Sequence, residues 1–200
     1  MMTNRDAPAG GVNDGGVSLD GWVADGCHHY PLRVQFEDTD AGGIVYHANY
    51  LAFAERARSS FLRLIGVNQE TALAGDAGPP LNGTMLVVRR LNIDYLTPAG
   101  LGAALRVETR MKALRGASMQ LDQTIMNFDD GHILARLLVD IVCVAASKDG
   151  GKRPRRIPSV VVDRLRAATP PDTASGQSRR LAQVGRGVSS AWVLGGMGFT

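Results

Sequence analysis

Glu37-Asp38-Thr39-Asp40-Ala41-Gly42-Gly43-Ile44-Val45-Tyr46-His47-Ala48-Asn49-Tyr50 is the junction on which the fold turns. Before it, His29 to Phe36 puts Tyr30, Leu32, Val34 and Phe36 in alternation with polar neighbours, the period-2 pattern of a strand. After it, Tyr50, Phe53, Ala54, Ala57, Phe61, Leu64 and Ile65 recur at helical spacing, with Glu55, Arg58, Ser59 and Arg63 on the other side. This predicts a helix over 48–65, stopped by Gly66. Ala52, Ala54 and Ala57 keep its first half slender, so a sheet can wrap closely around it.

Beyond a Gly/Pro-rich loop over 75–83, preceded by a short helical turn at 69–73, four strand-like runs follow: Thr84–Leu96, Ala103–Leu114, Ser118–Phe128 and His132–Ala146. Arg115-Gly116-Ala117 and Asp129-Asp130-Gly131 are the short joints between the last three, and Asp-Gly is a hairpin signal because both residues tolerate positive φ. Strand, long helix and an antiparallel meander give an α+β class: a long central helix wrapped by one curved antiparallel sheet. The sheet's other face and its edges would still need cover, which predicts a homodimer or larger oligomer.

The chain has 200 residues, 44% hydrophobic and 20% charged, enough for one packed domain with tails. No apolar run nears the ~18 residues of a membrane span, and no basic segment leads into an apolar one as in a secretory signal. Cys27 and Cys143 make neither a disulfide framework nor a metal-ligand spacing, and a cytoplasmic location fits. Residues 1–150 hold 13 Lys/Arg against 17 Asp/Glu, residues 151–200 hold 9 against 2. The basic balance therefore comes from the C-terminal end, and the body is not read as a nucleic-acid binder. The domain reading is a flexible leader over 1–27, a folded domain over 28–160 and a basic, mostly disordered tail over 161–200, with one or two helical turns expected over 160–168 where the two meet.

The junction also concentrates the chemistry. Asp40 precedes a helix N-terminus, where unpaired backbone N–H groups stabilise an anion or a carbonyl becoming one. One reading makes Asp38 and Asp40 caps. The other makes Asp40 a working carboxylate, and Gly42 and Gly43 favour it because they let the backbone approach a ligand. The backbone N–H of His47 could polarise a carbonyl whatever its imidazole does. Asn49 caps the helix or contacts substrate, and Tyr46 packs or lines the same site. Arg115 and Ser118, flanking a tight turn, could meet a phosphate or simply form a solvated hairpin tip. His28, His29 and His132 have no partners at a telling spacing and are read as structural or exposed. No phosphate-binding loop, dinucleotide fingerprint, zinc motif or nucleophilic Ser/His/Asp set is present.

The run from Arg33 to Tyr50, continuing into Phe53-Ala54-Glu55-Arg56-Ala57-Arg58, closely resembles the YbgC-type acyl-CoA thioesterases, hotdog-fold enzymes of the 4-hydroxybenzoyl-CoA thioesterase family often linked to the Tol-Pal cell-envelope system. The resemblance extends more loosely through Asn92-Ile93-Asp94-Tyr95 and Leu114–Ser118. It implies a hotdog fold, dimers commonly paired into tetramers, and an acyl-CoA substrate with no cofactor and no metal. It implies Asp40 as catalytic carboxylate and His47 as the residue whose N–H faces the thioester carbonyl, its imidazole assisting. Gly43, Tyr46, Asn49, Arg115 and Ser118 become substrate contacts. Phe36 departs from the pattern, which has tyrosine there, so a phenol beside Asp40 is missing. The implied reaction is thioester hydrolysis, with Asp40 as nucleophile or as general base on water. The alternative is a non-catalytic module that binds acyl carrier protein or lipid-synthesis enzymes.

Overall fold

A computed structural model describes residues 18–69, 80–146 and 151–169. Strands β1 (Trp22–Ala24) and β2 (Cys27–Arg33) lead through a 3-10 turn (Phe36–Asp38) to helix α1 (His47–Leu64). Strands β3 (Thr84–Tyr95), β4 (Ala104–Arg115), β5 (Ser118–Asn127), β6 (Ile133–Ala146) and β7 (Lys152–Pro154) follow, then helix α2 (Ser159–Ala168). The strands make one sheet in the order β1-β2-β4-β5-β6-β3, with β7 added to β6. Every pairing is antiparallel. The expected α+β arrangement of a long helix against a curved antiparallel meander is the one observed.

The sheet curves because its ladders are interrupted. Register shifts fall between Val88 and Arg90, between Met111 and Ala113, and between Ile125 and Met126. Such bulges bend a strand and raise its twist. α1 packs into the concave face against β2, β4 and β5. Phe53, Ala54, Ala57 and Phe61 meet Leu105, Val107, Leu121 and Ile125 in one buried cluster. Ala54 and Ala57 are fully buried, as the slender-helix reading requires. Burial of each large side chain contributes about 1.5–3 kcal/mol.

A polar network centred on Arg58 and Gln123 runs through this core. Arg58 donates to Gln123 Oε1 at 2.7 Å and also pairs with Glu55. Gln123 donates in turn to the Ala54 carbonyl and to Thr109 Oγ1, both at 3.0 Å. The network fixes the rotation of α1 over β4 and β5, since turning the helix would strand buried donors and acceptors.

Three expectations need correction. The strand expected to reach Phe36 ends at Arg33, and Phe36 is 82% exposed on the 3-10 turn. The leader expected over 1–27 is structured from Ser18: Trp22–Ala24 pairs with Cys27–His29, and Asp20 meets Arg63 at 3.0 Å. The helical turns expected over 160–168 are α2, but the domain boundary set at 160 moves past them, because Val161 and Leu165 are fully buried in the core. The remaining tail readings over 1–17 and 170–200, nearly all of the helical turn expected at 69–73 and the first part of the loop expected over 75–83 fall outside the described residues.

Candidate active site

The stretch between β2 and α1 folds back on itself as a small antiparallel loop. Thr39 bridges Val45, and the Asp40 N–H donates to the Ile44 carbonyl at 3.0 Å. At the tip, the Gly43 N–H donates to the Asp40 carbonyl at 3.0 Å and the Gly42 N–H to Asp40 Oδ1 at 2.8 Å. Gly43 has φ +73°, a conformation most side chains avoid. A Cβ on Gly42 would stand 3.1 Å from Asp40 Oδ1. The glycine pair thus has two separate reasons: one turns the chain, the other leaves room for the carboxylate.

The two aspartates divide the roles that the sequence left open. Asp38 is buried; its Oδ2 accepts the Gln35 N–H at 2.8 Å, and its carbonyl accepts the Tyr46 N–H at 2.9 Å. It is the structural carboxylate. Asp40 is exposed and receives only the Gly42 N–H on one oxygen. A carboxylate so lightly engaged keeps lone pairs for a ligand.

α1 starts at His47 without a side-chain cap, its N-cap being Tyr46. Asn49 is neither a cap nor open to solvent contact alone: its Nδ2 donates to the Asp38 carbonyl at 3.0 Å and the Glu37 carbonyl at 3.4 Å, tying the helix to the loop. The His47 imidazole lies beside the Tyr46 ring at 4.4 Å and meets the Tyr95 ring edge at 6.3 Å. Tyr95 Oη donates to the His47 carbonyl at 3.0 Å.

Sequence reasoning missed two tyrosines here. Tyr50 was read as packing; its buried hydroxyl also accepts the Ala99 N–H at 3.0 Å. The Ala99 carbonyl then accepts the Val45 N–H at 2.8 Å, and Gly100 bridges Ile44. Burial pushes the Tyr50 phenol above its ordinary range, so it stays a neutral hydroxyl. The loose match at Asn92-Ile93-Asp94-Tyr95 was the one signal pointing to Tyr95.

Asp40, Gly43, Tyr46, His47 and Asn49 therefore lie together at the loop–helix junction. Arg115 and Ser118 do not. They sit at the opposite end of the twelve-residue strand β4, across its turn with β5. There they line a cavity of about 300 Å³ with Arg89, Arg90, Gln120 and Asp140. Among the described residues, the group of three metal-ligating side chains close enough to share an ion is Cys27, His29 and Glu108, outside both places. No described helix is long and apolar enough to cross a membrane.

The chain and its fold have known relatives. Residues 34–165 match the family model of the thioesterase-like superfamily. The chain is 38% identical over 133 residues to the acyl-CoA thioester hydrolase YbgC of Escherichia coli, covering 66% of this chain and 91% of that protein. It is 40% identical over 119 residues to the acyl-CoA thioesterase YbgC of Haemophilus influenzae, covering 60% and 82% respectively. A probable thioesterase from Bartonella henselae superposes with a TM-score of 0.57 at 36% identity, covering 66% of this chain and 99% of that one. 4-Hydroxybenzoyl CoA thioesterase superposes with a TM-score of 0.60 at 18% identity over 70% of this chain and 98% of that one, a likeness of fold. The chain belongs to the thioesterase-like superfamily, as a YbgC-type thioesterase of hotdog fold.

Proposed function

We propose that this protein hydrolyses an acyl-CoA thioester to a free acid and CoA at the loop–helix junction. The observation that carries the proposal is an exposed, lightly bonded Asp40 carboxylate beside a helix start that no side chain caps. First-turn N–H groups of α1, that of His47 foremost, receive the thioester oxygen as it becomes an oxyanion. Removing one such donor typically costs about 10²–10³ in rate. Asp40 either attacks the carbonyl carbon, expelling CoA thiolate and leaving a mixed anhydride that water opens, or takes a proton from the water that attacks. The thiolate leaves without a strong general acid. The Asp38, Asn49, Tyr50 and Tyr95 contacts hold the loop and the helix start in register while charge develops.

The basic cavity at Arg115 and Ser118 supports a second element of the proposal. Its Arg89, Arg90 and Arg115 suit the phosphates of CoA. Because it lies at the far end of β4 from Asp40 in one chain, both ends would serve one substrate only across two chains. Strand β3 occupies a sheet edge and carries Tyr95 at the junction end. Antiparallel pairing of two β3 edges would bring each Arg115 end toward the other chain's Asp40. We therefore propose a homodimer, with tetramers as pairs of it.

A second reading, a non-catalytic binder of acyl carrier protein, rests on Phe36, which places no hydroxyl near Asp40. A turnover panel from short aliphatic to long-chain and aromatic acyl-CoAs, run with wild type and Asp40→Asn, decides between them. Hydrolysis by wild type that Asp40→Asn loses supports the thioesterase site. Equal turnover by the folded variant removes Asp40 from the mechanism. No turnover at any chain length, with stable capture of acyl carrier protein, favours the binder.

A further inference from the structure

Strand β2 carries a second cluster of reactive side chains that the thioesterase site does not use. Successive residues of a strand point to opposite faces. His28 faces α1, its ring 5.3 Å from that of Phe61. Cys27 and His29 therefore face away from α1, two residues apart on one side of the strand. Glu108 stands directly across from His29 in the β2–β4 ladder. Cys27 Sγ, an imidazole nitrogen of His29 and a carboxylate oxygen of Glu108 all lie within 4.8 Å of one another. We propose that Cys27, His29 and Glu108 form a zinc-binding site on the sheet face turned away from α1, with the fourth position left for water.

The spacing suits a metal better than it suits hydrogen bonding. His29 Nδ1 lies 3.4 Å from Glu108 Oε1, is buried, and makes no hydrogen bond of its own. Tetrahedral zinc bonded at ~2.0–2.2 Å to nitrogen and oxygen holds those donors about 3.3–3.5 Å apart. Cys27 is fully buried, and its thiol lies 3.5 Å from the His28 carbonyl. Soft, borderline and hard donors in one set favour zinc over calcium or magnesium, which take oxygen ligands.

The surroundings behave as an outer shell. The Trp22 ring stacks on His29, centroids 5.3 Å apart and planes within 17°, fixing the imidazole plane. Arg106 Nη2 holds Glu108 Oε1 at 3.2 Å, and ligating carboxylates are commonly held in this way. Arg110, the other nearby cation, donates to the Asp25 carbonyl at 3.2 Å. Burial pushes the Cys27 thiol up to about 11, so without metal it stays protonated. On binding, the S–H bond breaks, the proton goes to solvent and the sulfur electron pair goes to the ion. Thiolate and carboxylate then balance the two charges of zinc.

The test is titration of the metal-stripped full-length chain with Co²⁺, followed by displacement with Zn²⁺. One equivalent should bind, with a thiolate-to-cobalt charge-transfer band and release of one proton per ion. Cys27→Ser should abolish the band, His29→Gln and Glu108→Gln should each weaken binding by about tenfold or more, and Cys143→Ser should change nothing. If circular dichroism shows that Cys27→Ser does not fold, His29→Gln on its part-exposed strand position decides. The proposal is overturned if wild type binds no stoichiometric metal, if the band survives Cys27→Ser, or if binding is lost in His47→Gln but kept in His29→Gln. Metal binding is read directly here, so the result is independent of thioester turnover.

Discussion

The two ends of α1 are held in opposite ways. At the C-terminal end the helix is closed. Gly66 turns the chain at φ +75° and donates to the Arg63 carbonyl at 2.8 Å, while Arg164 of α2 donates to the Gly66 carbonyl. Arg63 pairs with Asp20 at 3.0 Å, and the His28 ring packs on Phe61. At the N-terminal end no side chain caps the helix, and His47, Tyr46 and Asp40 face solvent. One terminus has its carbonyls and charges answered from three elements, whereas at the other no side chain caps the first turn and the Asp40 carboxylate is exposed. The difference separates the end that stabilises the fold from the end proposed to act, and each can be disturbed separately.

The largest expected effect is at the open end. Asp40→Asn keeps a side-chain oxygen for the Gly42 N–H, so the loop persists. Turnover of acyl-CoA should fall by about 10²–10⁴-fold, while the unfolding free energy moves by no more than about 0.5 kcal/mol, as for a surface substitution. Steady-state kinetics and urea denaturation on one preparation measure both. A large stability loss would mean that Asp40 belongs with Asp38 as a structural carboxylate. Phe61→Ala is the mirror experiment at the closed end. Phe61 is almost fully buried against His28 and the core, so its truncation should cost about 3–5 kcal/mol. Turnover per folded molecule should stay near wild type. If turnover collapses with folding intact, the two ends are coupled and the division fails.

The glycine pair sharpens the comparison within the open end itself. Nothing lies within 4 Å of a Cβ on Gly43, so Gly43→Ala meets only the backbone penalty of positive φ, about 1–2 kcal/mol. Gly42→Ala instead presses on Asp40 Oδ1. Its effect should appear as a turnover loss of about tenfold, since a 1 Å misplacement at a reacting group costs up to about 10²-fold. Thermal melts and kinetics on both variants separate the two glycines.

Much of this architecture was legible because it rests on local signals. The apolar repeat set α1 to within one residue at each end, and Gly116 and Asp130-Gly131 marked the hairpins. The misses have local causes as well. Alternation through Val34 continues to Phe36, but the chain leaves the ladder once Val34 N–H bonds the Ala103 carbonyl, and no pattern announces that exit. β1 hid in a glycine-rich leader, although Asp25 and Gly26, both at positive φ, are the same Asp-Gly hairpin signal that was read at 130–131. α2 was expected as a turn or two of helix, but it buries only Val161 and Leu165 among its arginines, too narrow a stripe to show that it packs into the core. At the site, the difference between Asp38 and Asp40 depends on which one folds under the helix start, a tertiary fact that two identical side chains cannot reveal.

The smallest effect tests the closed end through pH. His28 is fully buried, and its Nε2 lies 2.7 Å from the Asp20 carbonyl. Burial, the dominant cause, lowers its pKa below the ordinary 6.5, so the folded state holds the ring neutral where the unfolded chain already takes up a proton. Between the folded pKa and 6.5 the unfolded state binds more protons, and stability therefore rises with pH across that window. On acidification it is lost from about 6.5 downward, by at most about 1.4 kcal/mol per pH unit for one group, until the folded ring protonates too. His29, whose pKa burial also lowers, adds in the same direction. Denaturation of wild type and His28→Gln at several pH values below 7 isolates the term, because glutamine keeps a polar group near the Asp20 carbonyl without a titrating ring. A shallower pH dependence in the variant, with the turnover profile of the open end unmoved, is the expected result. Equal slopes in the two proteins would mean that the strap of residues 18–21 is not anchored by a neutral His28. The closed end would then rest on Arg63–Asp20 and Phe61 alone.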